Sequence, residues 1–221
     1  MIRECEEHGY FRNEVCPYCG AEGKFIMSDY EVEKLGRSLA GILRHRKNDP
    51  DMDSQGFVSL REVLSIVKSR NGRMEWLRTR HIEALVDTDP KGRYMIVGGK
   101  IKATYGHTVQ LDIRLDNQNI PETLFYPATP EEASFLEESG IYPSDRAMVH
   151  LSLTYKDAFK AGSVRVDEPV ILEVDTDTCI DMGYDIGKAA RTVFLCRHVP
   201  PDAIFEADPD DYIDQEDEED D

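Results

Sequence analysis

The sequence predicts an α+β protein in four consecutive parts: a small Cys/His module, a helical unit of winged-helix type, a strand-rich half and a disordered acidic tail. Three observations predict it. Cysteine and histidine cluster in residues 1–27 among Gly-containing turns, with no long periodic helix. Between 28 and 104, three apolar periodicities of helical spacing precede two short apolar runs about a Gly-Gly turn. From 105 to 205 the apolar runs are short and mostly strand-like, and from 206 to 221 acidic residues take over.

The first part contains Cys5-x-x-His8 and Cys16-x-x-Cys19. Two ligand pairs, each on a tight turn, supply tetrahedral Cys3His coordination for zinc, and Gly20 lets the backbone turn around the ion. All four positions are filled by protein, so the expected site is closed and structural. Ser28 then opens a helix, with Glu31 at capping-box spacing and Leu35, Leu39, Ile42 and Leu43 on one face, running to about Arg46. The polar loop "KNDPDMDSQG" leads to a second helix, expected to be capped by Ser59 with Glu62 and to bury Val63, Leu64, Ile66 and Val67. "TRHIEALVD" makes a third, and "RYMIVGGKIKAT" reads as a β-ribbon.

In the next part "TLFYPAT" is a strand, followed by a helix with Thr129 as cap, Pro130 in its first turn, Glu132 closing a capping box and Gly140 as the stop. "RAMVHLSLT", "PVILEVDTD" and "TVFLCRHVP" are further strands, with "YKDAFKAG" a helix between the first two. No internal repeat is present.

Net charge is −18, but residues 206–221 carry eleven acidic groups and no basic one, leaving −7 on the rest. The tail is expected to be disordered and solvating. An anionic partner therefore remains compatible if the other Arg, Lys and His side chains converge on one site. No run of about 18 apolar residues occurs, and "MIRECEEHGY" lacks the layout of a signal peptide. A cytoplasmic monomer without a membrane partner is expected, in which Cys179 and Cys196 are buried thiols.

The first helix ends on Arg44, His45 and Arg46. Cations at a helix C-terminus are stabilised by its partial negative charge, which alone would explain them. Two further segments change the balance. "KIKATYGHT" places Lys102, Gly106, His107 and Thr108 at the ribbon exit. In "RAMVHLS", His150 and Ser152 alternate with Val149 and Leu151, so they form the polar face of a strand near Arg146.

The order of these pieces carries a resemblance. "L-R-H" at a helix end, "D-x-x-G-F-V", "K-x-K-A-x-x-G-H-T", "R-x-x-V-H-L-S", "A-x-x-x-G-x-x-R" and "P-V-x-L-x-V-D" together resemble the KptA-type RNA 2′-phosphotransferases over roughly 32–205. The resemblance implies that the 28–104 part is a winged-helix lobe and the 105–205 part an ADP-ribosyltransferase-like, NAD-binding lobe; the 1–27 module and the 206–221 tail lie outside it. It implies NAD as co-substrate and, as partner, an RNA bearing an internal 2′-phosphate, of tRNA splice-junction type. A catalytic tetrad is implied at Arg44, His45, Lys102 and Arg165, with Arg146 competing for the last place. His107, Thr108, Tyr126, Thr129, Arg146, His150 and Ser152 are the implied cofactor-binding residues.

Two departures fall at this site. Lys102 stands where the family has Arg, which keeps the charge and loses the bidentate fork. "LFYPAT" (124–129) stands for "L-Y-H-G-T", with Tyr126 and Ala128 in place of the His and Gly that would meet NAD. Two other readings stay open: a non-catalytic zinc and winged-helix protein that binds nucleic acid, and an ADP-ribosyltransferase acting on a terminal nucleic-acid phosphate.

Overall fold

The structure, a computed structural model, describes residues 1–70 and 72–213. The chain divides into two compact units, Met1–Arg114 and Leu115–Asp221.

The first unit begins with three short strands, β1 (Ile2–Cys5), β2 (Gly9–Phe11) and β3 (Lys24–Met27), in the order β2-β1-β3. These strands have three or four residues each, too short for a period-2 pattern to stand out. Ile2, Ile26 and Met27 are buried in the same core as the helices that follow. The Cys/His module is therefore part of the first unit's packing.

Helix α1 (Asp29–His45) starts on the expected box: Ser28 N donates to Glu31 Oε2 at 2.8 Å, and Glu31 N donates to Ser28 Oγ at 3.4 Å. It ends at His45 because Arg46 turns left-handed, with φ 46°. Helix α2 (Leu60–Arg70) is not capped as expected. Ser59 is instead the end of β4 (Val58–Ser59), Leu60 N donates to Gly99 O, and the Glu62 carboxylate accepts from Asp51 N. The ribbon satisfies the helix start, so no side-chain cap is needed. Helix α3 (Thr79–Asp87) spans the expected nine residues, and Arg78 N donates to His81 Nδ1 at 2.8 Å.

Strands β5 (Tyr94–Val97) and β6 (Lys100–Ala103) turn at Gly98 and Gly99, whose φ values of 57° and 77° suit glycine in a tight hairpin. Strand order is β4-β6-β5. Leu35, Leu39, Ile42, Leu43, Ile82 and Ile101 are wholly buried between the helices and the ribbon.

The second unit is built on a six-stranded sheet in the order β10-β11-β8-β7-β9-β12, with every neighbouring pair antiparallel. Its strands are β7 (Thr123–Ala128), β8 (Val149–Ser152), β9 (Val170–Asp175), β10 (Ile186–Lys188), β11 (Val193–Cys196) and β12 (Ile204–Glu206). Between them lie α4 (Pro130–Ser139), α5 (Tyr155–Gly162) and α6 (Thr176–Asp181). Helix α6 begins at Thr176 and Asp177, the last two residues of an expected strand. Asp175 ends β9 by accepting from Thr178 N at 3.1 Å, which caps the new helix.

One face of the sheet buries Leu124, Val149, Leu151, Leu172, Val174 and Phe194; the other buries Phe125, Ala158 and Ile171. Order continues past 205, against the expected tail boundary. Glu206 pairs with Leu172, Ala207 is buried with Phe125, and Asp210–Ile213 forms α7. The reason is Tyr212, which stacks on Tyr155 at 5.2 Å and donates to Glu173 at 2.8 Å. The rest of the expected tail, 214–221, lies outside the described residues.

Cys179 and Cys196 are buried and unpaired, burial pushing their thiols up to about 11 and about 12. Among the described residues no helix is long and apolar enough to cross a membrane.

Candidate active site

The end of α1 and the exit of β6 meet in the first unit. Thr108 N donates to the Arg44 carbonyl at 3.1 Å, its Oγ1 donates to the same oxygen at 3.3 Å, and Oγ1 lies 3.2 Å from His45 Nδ1. The helix C-terminus is thereby closed by a residue 64 positions later.

Arg44 is packed against this segment. Its guanidinium carbon lies 4.8 Å from the Tyr105 ring centre, and a Cβ on Gly106 would come within 3.1 Å of it. Gly106, at φ +83°, is the residue that both the turn and the guanidinium allow. Arg44 Nε and Nη2 are buried and donate to no protein group. Burial raises the Tyr105 hydroxyl pKa, while Arg44, in part as a hydrogen-bond donor, lowers it.

Lys102 is 9% exposed on β6, and its Nζ sits 4.7 Å from the Phe57 ring centre. Burial lowers its pKa, against a smaller opposing effect of Asp53. Asp53 itself accepts from Phe57 N and Gln55 N and pairs with Lys100 Nζ at 3.2 Å. His107 is 3% exposed, with Nε2 buried and unpaired. Burial first, then Arg44, Lys102 and His45, bring its pKa down to about 4. Arg44, His45, Lys102, His107 and Thr108 thus gather in one place. Sequence reasoning missed Tyr105, Phe57 and Asp53, although all three lie inside the segments it singled out.

In the second unit the expected residues fall into two groups. Ser152 opposes Phe125 and Val193, and His150 opposes Leu195, so His150 and Ser152 share the Phe125 face of the sheet. His150 Nδ1 lies 2.9 Å from Met148 O. Tyr126 opposes Leu172 on the other face. Strand alternation therefore puts Pro127, and not Tyr126, on the face of His150 and Ser152. Period-2 counting along "LFYPAT" could have found it. Burial raises the Tyr126 pKa, opposed by Arg165 and Arg146. Those two arginines, the competing candidates, flank one carboxylate: Arg165 Nη2 is 3.8 Å and Arg146 Nε 4.0 Å from Asp145 Oδ1. Thr129 caps α4, its N–H donating to Glu132 Oε2 at 3.3 Å.

The module at the N-terminus could hold a metal ion. Ligand atoms of Cys5, His8, Cys16 and Cys19 all lie within 4.8 Å of one another. Cys5 Sγ is 3.5 Å from His8 Nδ1 and 3.6 Å from Cys19 Sγ, and Cys16 Sγ is 3.6 Å from His8 Nδ1. A tetrahedron with metal–sulfur bonds of about 2.3 Å has edges of about 3.6–3.8 Å, which these three separations approach. The Glu7 N–H, then His8, holds the Cys5 thiol below its usual range, which favours the ligating thiolate.

Residues 30–198 match the family described as RNA 2′-phosphotransferase, Tpt1 / KptA family. The chain belongs to that family. It is therefore an enzyme of the phosphotransferase class, and the group named by the family is a 2′-phosphate on RNA. A probable RNA 2′-phosphotransferase of Thermoplasma acidophilum is 40% identical over 223 residues, 98% of this chain and 92% of that protein. One of Methanosarcina mazei is 38% identical over 93% of this chain and 98% of its own length. Another, of Pyrococcus horikoshii, is 33% identical over 77% of this chain and 96% of its own. Within the matched span lie Arg44, His45, Lys102, His107 and Thr108; the four metal-ligand candidates precede it.

Proposed function

We propose that the protein removes an internal 2′-phosphate from RNA, of the kind left at a tRNA splice junction, by transferring it to NAD. On this reading the first unit contains a winged-helix-like lobe, the second is an ADP-ribosyltransferase-like lobe that takes NAD, and the Cys3His set holds a structural zinc. What carries the reading is Arg44: two buried guanidinium N–H donors without an acceptor, beside Lys102 and His45, in a chain of this family. An unmet buried donor costs about 1–3 kcal/mol, which a phosphate oxygen in its path would recover.

The chemistry has two steps. A 2′-phosphate oxygen attacks the ribose carbon bearing nicotinamide; the C–N bond breaks and nicotinamide leaves. The neighbouring ribose 2″-hydroxyl then attacks phosphorus and the RNA 2′-oxygen departs, giving repaired RNA and ADP-ribose 1″,2″-cyclic phosphate. Arg44 and Lys102 offset the charge that builds on the phosphoryl oxygens. Thr108 Oγ1 gives its proton to the Arg44 carbonyl, so it accepts from His45 Nδ1–H, and the Nε2 lone pair is left to take the 2″-hydroxyl proton and return it to the leaving oxygen. His107, with a pKa of about 4, stays neutral near pH 7 and adds hydrogen bonding without charge. In the second unit His150, Ser152 and Thr129 serve NAD, and Arg165 or Arg146 supplies a further cation.

The test uses a short RNA with one radiolabelled internal 2′-phosphate, incubated with and without NAD. Label appearing on ADP-ribose cyclic phosphate only with NAD is the expected result. Label halting on ADP-ribosylated RNA would restrict the protein to the first step, and RNA bound without reaction would favour a binding protein.

A further inference from the structure

Both central cations of the first unit are held by aromatic faces. Arg44 packs at 4.8 Å from the Tyr105 ring centre and Lys102 at 4.7 Å from that of Phe57. Neither forms an ion pair within 4.0 Å among the described residues. The contrast inside the same unit is Arg93, which is clamped by Asp89 through Nη2 at 2.8 Å and Nε at 3.1 Å. The carboxylate that acts on Lys102, Asp53, is occupied by two backbone N–H groups and by Lys100.

This arrangement has a physical consequence. A carboxylate would orient a buried cation and cancel its charge; a ring face orients it through its quadrupole and leaves the charge available to a third group. The backbone adds to the clamp on Arg44, because Gly106 offers no side chain where the guanidinium lies.

We infer that Tyr105 and Phe57 are positioning residues of the phosphate site, standing in for carboxylate partners so that Arg44 and Lys102 are ordered yet uncompensated. The inference rests on the reading of this cluster as the 2′-phosphate site and names what sets its affinity. Tyr105 acts through Arg44 and Phe57 through Lys102; neither ring need touch the RNA.

The experiment compares binding of two short RNAs, identical except for one internal 2′-phosphate, by wild-type protein and by Tyr105→Leu, Tyr105→Phe, Phe57→Leu and Phe57→Tyr, without NAD. Wild type should prefer the phosphorylated RNA. Tyr105→Leu should lose that preference roughly tenfold while its affinity for the unphosphorylated RNA holds, and Tyr105→Phe, which keeps the ring, should retain it within about threefold. Phe57→Leu and Phe57→Tyr should repeat the pattern at Lys102, and they carry the test if Tyr105→Leu melts below the assay temperature. Unchanged preference in both Leu variants, or equal loss of affinity for both RNAs in both, would overturn the inference while the proposed reaction stands. No preference in wild type would instead remove the phosphate site itself, and the inference with it.

Discussion

Thr108 Oγ1 lies 3.2 Å from Nδ1 of His45 while the Thr108 N–H and hydroxyl both bond the Arg44 carbonyl. A single threonine thus fixes the end of α1 and the ring of the histidine beside it. Thr108→Val keeps the shape and the backbone bond and removes the oxygen. It should lower kcat for 2′-phosphate removal about tenfold with KM for RNA nearly unchanged, and Thr108→Ser should restore most of it. Steady-state kinetics at saturating NAD would check this; a Val variant with wild-type kcat would dismiss the orienting role.

Lys102 tests the departure from arginine. Burial lowers its pKa, so on the alkaline side it loses its proton earlier than an exposed lysine. Lys102→Arg supplies a forked donor that stays protonated. Turnover should rise severalfold near pH 7, and the alkaline fall in wild-type activity should flatten. Equal or lower turnover across the pH range would show that the lysine is no handicap here.

His107 makes stability depend on pH. Its folded pKa of about 4 lies below the 6.5 of an exposed histidine, so the unfolded chain binds the proton first. The stabilisation is fully present above about 6.5, and falls away as pH drops from there towards about 4, by up to about 3 kcal/mol. Melting of wild type and His107→Gln at pH 7 and pH 5 should show a larger drop for wild type; identical drops would refute the shift.

The metal site should act on stability before it acts on chemistry. Ile2, Ile26 and Met27, carried by the module's strands, share the core of α1 and α3. Chelation, or Cys16→Ser, should lower the melting temperature of the first unit, with zinc in the purified protein at about one ion per chain by atomic absorption. Zinc-free protein that melts and reacts as the untreated protein does would contradict a structural ion.

The segment after β12 should also contribute to stability. Tyr212 stacks on Tyr155, lies perpendicular to Phe125 with ring centres 5.1 Å apart and bonds Glu173, so Tyr212→Ala should cost about 1–3 kcal/mol in denaturant unfolding. No loss would mean that α7 adds little to the sheet.

These elements also show what could be read beforehand. The start of α1 was legible because a box of Ser28 and Glu31 is a local signal, and α4 because Thr129, Pro130, Glu132 and Gly140 punctuate both its ends. Strands β10 and β12 were not, being three residues long at the edges of the sheet, where pairing is decided by neighbours distant in sequence. Tyr212 was hidden by the charge of its surroundings, and composition overrode the one aromatic that finds a partner. At the site, Arg44, His45 and Lys102 were readable as residues, whereas Tyr105 and Phe57 acquire meaning only through tertiary contact with them.

Binding of the reacting phosphate by Arg44 is tested by single-turnover release of labelled 2′-phosphate by Arg44→Ala and Arg44→Lys beside wild type, at saturating NAD. A loss of about a hundredfold or more is expected for Ala and a smaller loss for Lys, with melting temperatures close to wild type. Release by Arg44→Ala at the wild-type rate would contradict it.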